Sequence, residues 1–322
     1  MKILPILAAL ATAAIGTQGR AQTTISDTDQ AAIVKAIEQA DNGGADRATE
    51  TLEKLCAKYP SEAALRYELG YAQMKDYRYE RAAKTFRSLR GVAEMGALPW
   101  QMEGNALDLA GRRGDAVRVY RDGLNRFPKS GALIMELGTI RMQEEDYAGA
   151  IEMYERGVAA DPDYAPNYYR AAWIHFHSDA PWDGIALAER FMAMELKGER
   201  VEEMSQMTFE AYAALIRLAV KEDRDGTIAL TAMELGITPQ KEGGDVSLRV
   251  VCGVKKALHA TRPDGGGVAA SVWDFEERVA KAGHWEAYCR WLLRKGREDE
   301  FSGWLALHED LMERFAEWMG RE

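Results

Sequence analysis

An all-α fold of stacked helix pairs is what this chain predicts, on three observations. Small residues recur every 34 positions, at Ala48, Ala82, Ala116 and Ala150; prolines recur in one register, at Pro60, Pro128 and Pro162; and apolar residues fall at helical spacing on both sides of each turn. One antiparallel pair cannot bury its apolar face alone, whereas stacked pairs share a core with their neighbours. The composition permits this: 47% hydrophobic residues and only nine prolines supply a continuous core and exclude a disordered chain.

The amino terminus stands apart from the array. Met1-Lys2, an apolar run from Ile3 to Ile15, and small residues flanking Arg20 in Gly19-Arg20-Ala21 have the layout of a secretory signal, with cleavage expected after Ala21. The run is shorter than the roughly 20 residues that span a bilayer, and no later stretch qualifies, so no membrane span is expected. No cysteine follows the run where a bacterial lipid anchor would attach. A periplasmic or secreted location is the expectation.

Charge narrows the partner class. Removing Lys2 and Arg20 lowers the basic count from 41 to 39 against 51 acidic residues, and the formal charge moves from −10 to −12. Such a chain repels phosphate backbones, and the doublets Arg112-Arg113 and Lys255-Lys256 do not extend into a stripe, so nucleic acid is excluded as a partner. Three cysteines are too few for a disulfide framework. Cys56 reads as a small buried apolar residue, while Cys252 and Cys289 either pair or stand unpaired, since sequence does not place two α-carbons within bonding distance.

The helix pairs follow in order. Four places beyond each small residue stand Leu52, Phe86, Tyr120 and Tyr154, with Ala188 breaking the series; Glu94 breaks the proline column. Earlier in each unit Leu69-Gly70, Glu103-Gly104, Leu137-Gly138 and Ala171-Ala172 correspond, small residues that allow close helix approach. Leu133, Leu137 and Ile140 line one helix, Ile151, Tyr154 and Val158 the next, with polar links at 111–115 and 144–147. These residues resemble the tetratricopeptide-repeat family, whose 34-residue unit has small residues in its eighth, twentieth and twenty-seventh places. The resemblance implies a right-handed α-α superhelix, a TPR-type solenoid.

Residues 1–21 are the expected signal peptide, and 22–28 a short linker ahead of the aligned repeats. Residues 29–198 form five helix pairs, clearest at 63–164 and degenerate in the fifth, and 199–322 an irregular helical region. In the third copy Trp100, Gly104, Leu107, Ala116, Tyr120, Gly123 and Pro128 fit the family pattern; in the fourth, Leu137, Gly138, Ala150, Tyr154, Gly157 and Pro162 do. Beyond 198, Met204, Met207, Tyr212, Leu215 and Leu218 keep helical spacing, and Gly243-Gly244 and 263–267 read as loops flanking a helix at 245–260. A last helix at about 300–320 places Phe301, Trp304, His308, Leu311, Phe315 and Trp318 on one face, predicting a cap over the final pair or a contact between copies.

The resemblance also implies a ligand groove on the first helix of each unit. Tyr67, Tyr71, Met74 and Lys75 line it, then Gln101, Asn105 and Asp108, then Met135, Thr139 and Met142, then Tyr169, Trp173, Phe176 and His177. Aromatic and methionine side chains suit an apolar peptide or helix. These side chains alternatively pack between helices, or the carboxy-terminal helix fills the groove. One subgroup of the family clamps a terminal carboxylate with lysine, asparagine and arginine; here Asn105 matches, but Gln101, Ala132 and Glu136 replace the basic positions, which disfavours such a ligand.

Catalytic signatures are missing from the sequence: no phosphate-cradling loop, nucleophile elbow, His-Glu-x-x-His or Cys-x-x-Cys. No catalytic residue, cofactor or metal is expected, and His175 and His177, two apart on a helix, diverge. The reading is therefore a non-enzymatic scaffold or adaptor of the bacterial cell envelope that binds a protein or peptide. Two alternatives stand beside it: a homo-oligomer built through the terminal helix, and a glycan-binding or glycan-active protein using Trp273, Trp285, Trp291, Trp304 and Trp318.

Overall fold

The computed structural model describes residues 25–222, 246–260 and 267–321, and among them holds α-helices, short 3-10 turns and no strand. The expected signal peptide, Gly243-Gly244 and most of the 263–267 loop lie outside the described residues. The chain divides into two compact units, Met1–Glu144 and Glu145–Glu322.

The first unit contains α1 (Asp27–Asp41), α2 (Ala45–Lys58), α3 (Ala63–Lys75), α4 (Tyr79–Arg87), α5 (Leu98–Leu109), α6 (Arg113–Arg126) and α7 (Gly131–Gln143). Each packs on the next, and α1 also meets α3, as α5 meets α7. Ser26 caps α1 by accepting from the Asp29 amide, and Ser130 caps α7 through the Leu133 amide. α2 and α6 stop at Lys58 and Arg126, two residues before Pro60 and Pro128. Where Glu94 stands in place of proline, α4 ends early at Arg87 and the chain passes through a 3-10 turn at Ala93–Met95.

Small residues meet aromatics inside each pair. A Cβ on Gly70 would lie 2.7 Å from the Phe86 ring, and one on Gly104 would overlap the Tyr120 ring. Phe86 and Tyr120 are buried as a result. Gly123 plays the same part within its pair, against Trp100, and between pairs, against Leu133. The first interface buries Ile33, Ala36, Ala48, Leu52, Leu55, Tyr59, Leu65 and Leu69 in one core.

The turn inside each pair has a requirement that composition conceals. Gly43, Tyr77 and Gly111, 34 residues apart, take φ of 88°, 59° and 75°, and Glu145, one period later, takes 60°. All four lie in the left-handed region, which costs a side-chain-bearing residue about 1 kcal/mol or more. Glycine stands at only two of the four.

The second unit contains α8 (Tyr147–Ala160), α9 (Ala165–Phe176), α10 (Ile185–Glu195), α11 (Glu199–Glu222), α12 (Leu248–Ala260), α13 (Gly267–Lys281), α14 (Trp285–Leu292), α15 (Glu298–Leu305) and α16 (Glu309–Met319). Pro181 opens a 3-10 turn, Pro181–Gly184, between α9 and α10. Further along, α10 packs on α11 and α13, and α12 on α14.

The helix expected at about 300–320 is a pair, α15 and α16, parted at 306–308. Leu307 and His308 amides close tight turns onto Trp304 and Leu305 carbonyls at 3.0 Å, and the His308 ring nitrogen takes the Trp304 carbonyl at 2.9 Å. Glu309 and Asp310 then start α16 with negative charge in its first turn. Three-residue turns keep the same face inward, so the three-and-four spacing runs through the break. Trp304, Phe315 and Met319 are buried. Phe315 meets the rings of Tyr288 and Trp291, and Trp304 Nε1 donates to Glu286 Oε1 at 2.9 Å, contacts made within the unit.

Candidate ligand-binding face

In the first unit the successive first helices are linked side to side by polar contacts. Tyr71 Oη on α3 donates to Asp41 Oδ1 on α1 at 3.3 Å, and Lys75 Nζ stands 3.9 Å from the same carboxylate. On α5, Gln101 Nε2 and Asn105 Nδ2 donate to one oxygen of Glu136 on α7, at 2.8 and 3.2 Å. Asn105 Oδ1 in turn accepts from Tyr120 Oη at 2.6 Å, which aligns its amide. One turn along, Gln143 Nε2 donates to Asp108 Oδ2 at 3.3 Å, and Arg113 Nη2 donates to Gln143 Oε1 at 2.6 Å. The exposed links among these contribute little stability, since water competes for their partners. They hold the polar middle of the face in fixed geometry.

Met74, Met135, Thr139 and Met142 are half-buried beside this row, with Thr139 Oγ1 donating to the Met135 carbonyl at 3.1 Å. Tyr67 departs from the expectation. It is 1% exposed and packs edge-on to Phe86 at 5.7 Å, because Gly70 draws Phe86 against α3 one turn from Tyr67. Its ring belongs to the core and offers no surface to a ligand. Glu136, which sequence shows only as a departure from a basic position, is the acceptor on which Gln101 and Asn105 converge.

Glu68, also on α3, is 4% exposed. Burial, with the Asp41 carboxylate adding to it, pushes its carboxyl up to about 7. A buried carboxyl within range of the Asp41 charge thus stands one helical turn from Tyr71 on α3. Asp108, Glu136 and Asp41 against Lys75 and Arg113 leave the face with an acidic excess.

In the second unit Tyr169, Trp173, Phe176 and His177 lie along α9 and its C-terminal end. Tyr169 Oη donates to Glu203 Oε2 on α11 at 2.6 Å, and its ring packs against Phe191 at 5.3 Å with the Arg200 guanidinium 5.4 Å from its centre. Burial first, then the Glu203 carboxylate, raises the Tyr169 hydroxyl to about 12. Trp173 stacks on the exposed His177 ring at 3.9 Å, and His177 Nδ1 donates to the Trp173 carbonyl at 2.7 Å. His175 instead faces Glu155 at 3.4 Å. Among the described residues no three His, Cys, Asp or Glu side chains gather in a metal-holding arrangement.

A feature that sequence reading missed lies deeper in this unit. Lys255 on α12 is 3% exposed, with Nζ 2.7 Å from Glu189 Oε1 on α10 and paired with Glu276 on α13. Tyr212 Oη donates to Glu189 at 3.0 Å, and Glu276 Oε2 meets His259 Nδ1 at 2.9 Å. Burial opposes the lysine's charge, but Glu189, the two tyrosines Tyr212 and Tyr288, and Glu276 raise its pKa well above the ordinary lysine range. Of the five tryptophans after residue 270, Trp304 is buried and Trp273, Trp285, Trp291 and Trp318 are half-buried.

Residues 33–94 and 102–165 match the tetratricopeptide repeat family model. Among solved structures, MamA from Desulfovibrio magneticus RS-1 is 15% identical, over 55% of this chain and 99% of that one, with a TM-score of 0.38. The TPR2AB domain of yeast Sti1 in its pHSP90 complex is 14% identical over 64% of this chain and 95% of that one, at a TM-score of 0.27. No curated protein is significantly similar to this chain. Among the described residues no helix is long and apolar enough to cross a membrane.

Proposed function

We propose that this chain, which carries tetratricopeptide repeats over residues 33–94 and 102–165, is a protein-interaction scaffold of the bacterial envelope. On this reading α3, α5 and α7 bind an extended or helical segment of a partner. The observation that carries the reading is the preset row Gln101–Glu136–Asn105 and Asp108–Gln143–Arg113, with the half-buried Met74 on α3 and Met135 and Met142 on α7 among the first helices of the units. Methionines adapt to varied apolar shapes, and fixed carboxylates and amides orient a backbone or a basic side chain. Glu136 occupies a place where a terminal carboxylate would need a cation, so the segment favoured is internal, apolar and basic. The envelope assignment rests on the amino-terminal signal pattern.

The test compares wild type with Tyr71→Ala/Met142→Ala and with Glu136→Lys, each checked for unchanged helicity by circular dichroism. Each is assayed against a library of apolar-basic and apolar-acidic peptides. The reading expects apolar-basic ligands to lose ten-fold or more in affinity for both variants. Equal binding by all three proteins, or preference for acidic peptides in the wild type, overturns it. A cytoplasmic distribution of the full-length chain in fractionated cells overturns the location alone.

A further inference from the structure

The repeat supplies its own control for one place in the first unit. Arg90 stands where the copies one interval before and after have Cys56 and Leu124, and Glu103 where they have Leu69 and Leu137. Two apolar positions of the array thus carry a charged pair. Glu103 is 3% exposed, with Arg90 Nε 2.7 Å from one of its oxygens and Arg87 Nε 3.5 Å from the other. A buried ion pair costs more in lost hydration than an apolar pair of similar volume, so stability alone does not account for it.

The pair is also incomplete. Arg90 Nε is close to Glu103 Oε2 but out of line for a hydrogen bond, and Arg90 Nε, Arg90 Nη2 and Glu103 Oε2 are buried without a hydrogen-bond partner among the described residues. Unused donors therefore lie beside an unused acceptor. Burial raises the Glu103 carboxyl above its ordinary value, with Arg90 and Arg87 opposing the rise without cancelling it. The Trp100 ring, its centre 5.4 Å from the Arg90 guanidinium, keeps that group in place.

Both residues line a cavity of about 290 Å³ between α4 and α6. At its edge α4, nine residues long against fourteen in α2 and α6, ends with Arg87. The lining is apolar at the buried Ala83, Leu107 and Val119 and of both signs elsewhere, with Arg112 and Arg118 sharing Asp115. The volume equals that of about ten water molecules, enough for a small metabolite and too little for a helix.

We propose that this cavity binds a small zwitterion of the amino-acid class, its carboxylate accepting from Arg90 and Arg87 and its ammonium donating to Glu103. A planar carboxylate matches the paired N–H groups of a guanidinium, and an ammonium supplies the donor that Glu103 lacks. The apolar part of the lining receives the ligand's side chain. Arg87, whose side chain is 69% exposed, moves aside to admit it. The cavity shares no residue with the proposed partner face, so neither reading needs the other.

The experiment measures, by calorimetry on the full-length chain, the binding of glycine, L-leucine, L-glutamate and L-lysine. Acetate and methylammonium serve as half-ligands, and inorganic phosphate as a simple anion. The proposal expects at least one amino acid to bind with a Kd of about 1 mM or tighter, and the half-ligands and phosphate to bind about ten-fold or more weakly than it. Arg90→Leu/Glu103→Leu, which restores the residues of the next copy, should melt at an unchanged or higher temperature and lose the binding. Arg87→Gln, at an exposed side chain, should keep the fold and weaken binding by about five-fold. Absence of amino-acid binding at about 10 mM, phosphate or acetate binding as tightly as the best amino acid, or undiminished binding by the double leucine variant each overturns it. Should that variant fail to fold, Arg87→Gln decides, and unweakened binding there overturns the proposal.

Discussion

The two units solve the same packing problem with different materials. Between residues 25 and 144, helices are keyed by shape: Gly70 against Phe86, Gly104 against Tyr120, Gly123 against Trp100 and Leu133. From residue 145 onward, helices from distant parts of the chain are tied by buried charge, with Lys255 held by Glu189, 66 residues earlier, and Glu276, 21 residues later. Between neighbours such keys can be repeated indefinitely, and the second unit keeps one across distant chain, Gly296 against Phe209. A charge cluster joins non-neighbours and is made once, at the cost of removing ions from water, and it strongly resists the loss of any one member.

Removing the lysine is the harshest test of this contrast. Lys255→Met should destabilise the chain by about 3–5 kcal/mol in a urea unfolding curve, because Glu189 and Glu276 remain buried without the lysine's charge. Lys255→Met/Glu189→Gln/Glu276→Gln should recover much of that loss. Failure of the triple variant to improve on the single one would mean that packing around the lysine stem, not charge, holds the helices.

The next effect is a pH dependence from the first unit. The Glu68 carboxyl is raised from 4.5 to about 7 in the folded chain. Between those values the unfolded chain has given up this proton while the folded chain keeps it, so the unfolded state binds fewer protons and stability falls as pH rises. The loss should approach roughly 2–3 kcal/mol by pH 8 relative to pH 4.5. Glu68→Gln should flatten this part of the profile, read by thermal melts across the window. An unchanged slope in that variant would remove Glu68 as its source.

Smaller effects follow from the shape keys. Gly104→Ala should cost about 1–3 kcal/mol by overpacking against Tyr120, and Tyr120→Leu in the same chain should relieve part of it, so that the two changes are non-additive in a double-mutant cycle. Least of all, Tyr77→Gly should stabilise by about 0.5–1 kcal/mol: the exposed Tyr77 sits at φ 59°, where glycine carries no steric penalty. A destabilised Tyr77→Gly would show that the Tyr77 ring, 6.2 Å from that of Tyr79, does more than occupy the turn.

The proposed face was legible in part. Asn105 and Asp108 lie half-buried on α5, and Met135 and Met142 half-buried on α7, since position along a helix decides which way a side chain leaves it. Tyr67 was misread because one position in the unit can be surface or core, depending on the size of the facing residue, here Phe86 beside Gly70. The role of Glu136 was hidden for a similar reason, since its donors Gln101 and Asn105 come from another helix.

Sequence by itself determined the helices of the array, their period and the recurring columns of small and bulky residues, because each of these links residues at constant short separations and leaves a recurring mark. Tertiary structure alone decided three other things: that Tyr77 and Glu145 adopt the left-handed turn that Gly43 and Gly111 take, that the last helix divides at His308, and that Lys255 meets Glu189 and Glu276. In these cases a residue's surroundings come from chain far removed from it, and no spacing along the backbone records which side chains burial will bring together.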